Sequence, residues 1–136
     1  MVRVIMGLKG SGKTKHLIEL VNGAVAEEPG CVICLEHDRK LTYDISHRAR
    51  LVNTREYGLS GFYELKGFLC GLYAGNFDIS HIFIDSLYKV ARSDSVQHAE
   101  GFLSWAEDFS NEHNVKMTIT ISADAALATE GIKKYF

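Results

Sequence analysis

The sequence predicts an α/β domain, a three-layer sandwich with a mainly parallel central sheet. Three observations predict it. Short apolar runs alternate with segments of helical period along the chain. The first run leads through a glycine-rich turn directly into a helix-period segment, as a parallel sheet requires. The 136 residues, 46% hydrophobic and 24% charged, fit one compact domain with a buried core over 1–136.

Val2 to Met6 reads as the first strand. Beyond the glycine turn, Leu17, Ile18, Leu20, Val21 and Val25 recur at helical spacing, and Glu27-Glu28-Pro29-Gly30 ends that helix. Cys31 to Leu35 is the second strand. Its Cys31-Val32-Ile33-Cys34 spacing resembles a metal or redox pair, yet residues three apart on a strand point to opposite faces. Both thiols are therefore expected buried and reduced. The segment from His37 to Gly58 is polar and basic, carrying Arg39, Lys40, Arg48, Arg50 and Arg55, with a short strand at Leu51-Val52. Phe62, Leu65, Leu69 and Leu72 mark the next helix, weakened by Gly67 and Gly71. His81 to Ile84 is a third strand, ending on Asp85. Val96, Ala99, Phe102 or Leu103, Ala106 and Phe109 form an amphipathic helix, closed by Asn111 to Asn114. Val115 to Ile121 is a fourth strand. There Lys116, Thr118 and Thr120 alternate with apolar residues, which predicts a half-exposed strand. Asp124 is expected to cap a final helix containing Ile132, Tyr135 and Phe136. There are no repeats and no interdomain linker.

The bulk numbers narrow the function. A net charge of -2 argues against a generic nucleic-acid binder. The basic run Arg39 to Arg55, with Tyr43 and Tyr57, has the residues to hold a single strand by phosphate contact and stacking, but a solvated loop explains the same residues and the net charge is against a large basic face, so nucleic acid is not expected as a partner. No apolar run approaches the roughly 20 residues a membrane span needs. Met1 to Met6 is too short for a secretory h-region, so a cytoplasmic protein is expected. His16, His81, His98 and His113 lack metal-ligand spacing, and Trp105 is expected to pack.

The segment Gly7-Leu8-Lys9-Gly10-Ser11-Gly12-Lys13-Thr14 fits G-x-x-x-x-G-K-[ST] at every fixed position, between a strand and a helix. Glycines let the backbone curl so that successive N–H groups face phosphate oxygens. The helix start adds its positive dipole end. Lys13 can reach the β- and γ-phosphates, and the Thr14 hydroxyl can ligate magnesium. Ile82-Phe83-Ile84-Asp85 supplies a carboxylate to hold the same magnesium through water. The expected ligands are ATP and Mg2+.

Beyond this loop the chain resembles the RecA-like branch of P-loop NTPases. Cys31-Val32-Ile33-Cys34-Leu35-Glu36-His37 is similar to that family's second strand, and Ile84-Asp85-Ser86 to its metal-binding strand. The resemblance implies a P-loop NTPase (RecA-like) fold, Glu36 as catalytic base, Asp85 as the magnesium carboxylate and Ser122 in the sensor position. It also implies a centrally placed fourth strand, against the exposure read from the alternation. No Glu follows Asp85, so the base is expected from another strand. The chain is shorter than a full motor core, has no room for DNA-binding loops, and offers no assignable arginine finger, Lys89 and Arg92 being exposed candidates.

Three functions compete. The first is a slow magnesium-dependent ATPase or ATP-dependent switch acting through a protein partner or self-association. The second is a small-molecule kinase resembling thymidine kinase, for which Asp38-Arg39 and Ser46-His47 speak. That family's Glu after the metal Asp and its later cysteine pairs are missing. The third is a scaffold that holds ATP without cleaving it.

Overall fold

A computed structural model describes residues 1–136. The elements run β1 (Val2–Gly7), α1 (Lys13–Glu27), β2 (Cys31–Glu36), β3 (Arg50–Asn53), α2 (Phe62–Gly75), β4 (Ile79–Ile84), α3 (Leu87–Ala91), α4 (Val96–His113), β5 (Lys116–Ser122) and α5 (Glu130–Lys133). Short 3-10 turns occupy Thr54–Tyr57 and Ala125–Leu127.

The five strands form one sheet in the order β1-β5-β4-β2-β3, every pair parallel. Parallel strands need crossovers, and these cover both faces. Residue parity assigns the faces. Val32, Cys34 and Phe83 pack with Leu17, Val21, Ala24 and Val25 of α1. Ile33, Leu35, Ile82, Ile84, Met117 and Ile119 face the larger cluster built with Leu65, Leu69, Phe102, Leu103 and Ala106. Cys31 packs against the larger cluster and Cys34 sits in the smaller one, so the two free thiols lie on opposite faces. Cys31 is only half-buried, less than expected. Trp105 packs as expected, stacked on Phe109 with ring centroids 5.1 Å apart.

Four expectations need correction. β5 is not a half-exposed strand: it lies between β1 and β4, with Thr118 and Thr120 3% and 0% exposed. Their hydroxyls find polar partners inside the sheet, which is how polar residues reach an interior strand. Thr118 Oγ1 lies 2.9 Å from His81 Nε2, and the other ring nitrogen of His81 lies 2.7 Å from Glu28. Second, α3 was not expected; its five residues are too few to show a helical period. Third, β3 extends one residue beyond Leu51-Val52 at each end. The loop before it is anchored, because Leu41, Ile45 and Ala49 are buried against the α1 side. Fourth, Asp124 caps the 3-10 turn, accepting from Ala126 N at 3.0 Å, while Thr129 precedes α5.

β1 is an edge strand. β5 pairs with it on one side; on the other, Val4 N donates to Tyr135 O at 2.8 Å, so the segment after α5 covers part of that edge. No helix is long and apolar enough to cross a membrane.

Candidate functional site

Because all strands run the same way, their carboxyl ends share one edge of the sheet. Gly7, Glu36 and Ser122 end β1, β2 and β5, and Asp85 immediately follows β4. Gly7 and Ser122 are direct partners in the β1–β5 register. The chain leaves β1 at one edge and re-enters at β2, three places away, so later strands fill the gap. Crevices of open parallel sheets form at such reversals of order.

The loop joining β1 to α1 is shaped by glycine at two positions. Gly10 and Gly12 have φ of 85° and 90°, a region that L side chains rarely adopt. α1 then starts at Lys13, where its first amides have no intrahelical partner. Ser11 N donates to Leu8 O at 3.1 Å, closing the loop. Lys13 is 9% exposed and its Nζ donates to Leu8 O at 3.0 Å. Burial lowers its pKa, while the charge of Asp85 acts in the opposite direction.

A cavity of about 380 Å³ opens above these ends, and no hydrophobic residue lines it. Its walls include Lys9, Gly10, Gly12, Lys13 and Thr14 from the loop and helix start, together with Asp85 and Ser122 from the sheet edge. Lys15, Lys40 and Lys89 bring the lysines to five, against the two carboxylates of Asp38 and Asp85. A lysine-rich cavity at a helix start suits a polyanion. Gly7, Leu8 and Ser11 are not among its walls. A Cβ on Gly7 would fall 2.6 Å from Ser11 Oγ, so the loop folds tightly over that glycine.

Asp85 is held by a residue that sequence reading missed. Thr120 Oγ1 donates to Asp85 Oδ1 at 3.1 Å and accepts from Ser86 N at 2.7 Å. Burial raises the pKa of Asp85, opposed by the Thr120 hydrogen bond and the charges of Lys89 and Lys13. Ser86 has φ 59°, a left-handed backbone uncommon outside glycine and asparagine. The only sign of Thr120 in the sequence was its place in the polar alternation of β5.

Glu36 is placed differently from the other expected residues. It is 2% exposed and is not a wall of the cavity; its Oε1 accepts from Lys40 N at 3.0 Å. Burial raises its pKa, and the amides of Lys40 and Leu41 pull it back down. The carboxylate that does line the cavity from this side is Asp38. Lys89 Nζ donates to Asp38 Oδ2 at 2.8 Å and His37 Nδ1 lies 3.1 Å from Oδ1. These partners hold the Asp38 pKa down to about 2.

The residues fit a magnesium ion of the kind that draws most of its ligands from phosphate and water. The Thr14 hydroxyl and the Asp85 carboxylate line one cavity, and Asp85 has one oxygen engaged by Thr120. Nowhere in the chain do three His, Cys, Asp or Glu side chains converge on a point, so a magnesium here would depend on phosphate and water for its remaining ligands. No family model matches the chain, and no curated protein matches its sequence.

Proposed function

We propose that the protein binds a nucleoside triphosphate, ATP with Mg2+, in the cavity above Gly7–Thr14 and acts as a slow ATPase or ATP-dependent switch read by a partner protein. The observation that carries it is the convergence of Gly10, Gly12, Lys13 and Thr14 with Asp85 and Ser122 on one cavity that no hydrophobic residue lines. In this reading the loop amides and Lys13 hold the phosphates, and Thr14 and Asp85 hold the metal. The metal screens phosphate charge, and Thr120 keeps Asp85 in one orientation. The central position of β5 agrees with the RecA-like resemblance, which is the finer reading of the fold.

Slow turnover follows from Glu36. A base must reach the attacking water, and its carboxylate is turned into the backbone of Lys40. Hydrolysis then requires residues 37–41 to release Glu36, a step a partner can drive. Calorimetry with Mg·ATP and phosphate-release kinetics test the proposal. Lys13→Ala is expected to weaken ATP at least tenfold, and Glu36→Gln to leave binding intact while abolishing release. Equal ATP affinity in wild type and Lys13→Ala would remove the nucleotide reading; unchanged release in Glu36→Gln would remove that residue as base.

A further inference from the structure

A second cavity, of about 490 Å³, adjoins the first and shares His37, Asp38 and Lys89 with it. Its remaining walls bring in Arg55, Arg92 and a single apolar side chain, Leu59. The two arginines come from different elements. Arg55 lies in the 3-10 turn after β3, where its N donates to Asn53 Oδ1 at 3.1 Å. Arg92 caps α3 in a left-handed conformation, φ 53°. Short, hydrogen-bonded turns thus fix both backbones.

The charges do not cancel. Arg39 is satisfied by Glu56 at 2.7 Å, but neither Arg55 nor Arg92 has a carboxylate within ion-pairing distance. The one acid in the wall, Asp38, is already taken by Lys89 at 2.8 Å, with Lys40 at 3.8 Å. Unpaired guanidinium groups around a concavity recognise planar or tetrahedral oxyanions, which they bind by two parallel hydrogen bonds. The volume suits a small molecule.

We infer that this second cavity binds the phosphate group of a small second ligand, beside the triphosphate and not in its place. Lys89 lies in both walls, so an anion at Arg55 and Arg92 competes with Asp38 for Lys89. Occupancy of one cavity therefore alters affinity at the other, in equal measure both ways. The inference depends on the nucleotide reading only for what fills the first cavity.

The test uses the full chain saturated with Mg2+ and a non-hydrolysable ATP analogue, titrated calorimetrically with glycerol 3-phosphate and inorganic phosphate. Both arginines are exposed, so the double variant R55A/R92A should fold as the wild type does. The expected result is phosphate binding at millimolar concentration, weakened about tenfold in R55A/R92A, with analogue affinity changed less than about threefold. Equal affinity for the phosphate probes in both proteins, or no binding to wild type, overturns the proposal. So does a single-stranded oligonucleotide that displaces glycerol 3-phosphate and whose binding falls steeply with salt. The Lys13→Ala protein separates the two readings: loss of analogue binding with glycerol 3-phosphate retained shows two distinct sites. If the analogue fails to bind wild type, the nucleotide reading fails, and phosphate binding in R55A/R92A against wild type still decides this one.

Discussion

Asp85 sits where a carboxylate opposes folding. Burial raises its pKa above the ordinary 3.8, with Thr120, Lys89 and Lys13 compensating in part. A group whose folded pKa exceeds its unfolded value contributes most below the unfolded value and loses that contribution as pH rises through the folded one. At neutral pH ionised Asp85 is therefore destabilising, and Glu36 carries the same sign. Asp38 carries the opposite sign. Its pKa of about 2 gives a contribution that is present above 3.8 and lost as pH falls toward 2. Asn at position 85 keeps an oxygen for the Thr120 hydroxyl and removes the charge. Asp85→Asn is expected to raise Tm at pH 7 by on the order of 3 °C. That gain should vanish below about pH 3, where the wild-type carboxyl is protonated in both states. Asp38 is common to both proteins and cancels. On the proposed function Mg·ATP is expected to stabilise wild type and Asp85→Asn to abolish that effect, so paired thermal melts with and without Mg·ATP check both halves.

At the scale of elements, the start of α1 is the sensitive joint. An added Cβ on Gly12 meets nothing within 4 Å, so Gly12→Ala probes backbone conformation alone. Holding Ala at φ 90° is expected to destabilise the fold by about 1–2 kcal/mol, measurable by urea denaturation. Elements with a sustained period were legible in the sequence: β1, α1, β2, α2, β4 and α4 lie where their apolar residues place them. Those that failed did so for local reasons. α3 buries Leu87, Val90 and Ala91 in five residues, too few to distinguish a period. Leu41, Ile45 and Ala49 carry a burial signal in the 37–58 segment, but arginines and polar residues dilute it. The β5 alternation does not mark exposure, because the strand is central and its threonines are buried. Thr118 and Thr120 face other protein groups, His81 and Asp85, and only the strand order brings those groups alongside. The candidate site divides the same way. The loop and Asp85 are contiguous motifs, whereas Thr120 and the enclosure of Glu36 arise from neighbours distant in sequence.

For the molecule as a whole, the strand order sets both the site and its weak side. β4 and β5 are flanked on both sides by strands, and the crevice opens at their carboxyl ends. Charge is distributed unevenly: five lysines gather at the first cavity although the chain is net negative. The strand feeding the glycine loop has only one strand neighbour, with the Tyr135 carbonyl on its outer edge. Such a strand can detach in a local opening that leaves the centre of the sheet intact. Its amides are expected to exchange with deuterium faster than those of β4 in the free protein, and to slow when Mg·ATP is added. Equal rates in the two strands would contradict this. The glycine loop then belongs to the periphery of the sheet, which opens more readily than its centre, so a ligand held there firms the edge and leaves the middle as it was.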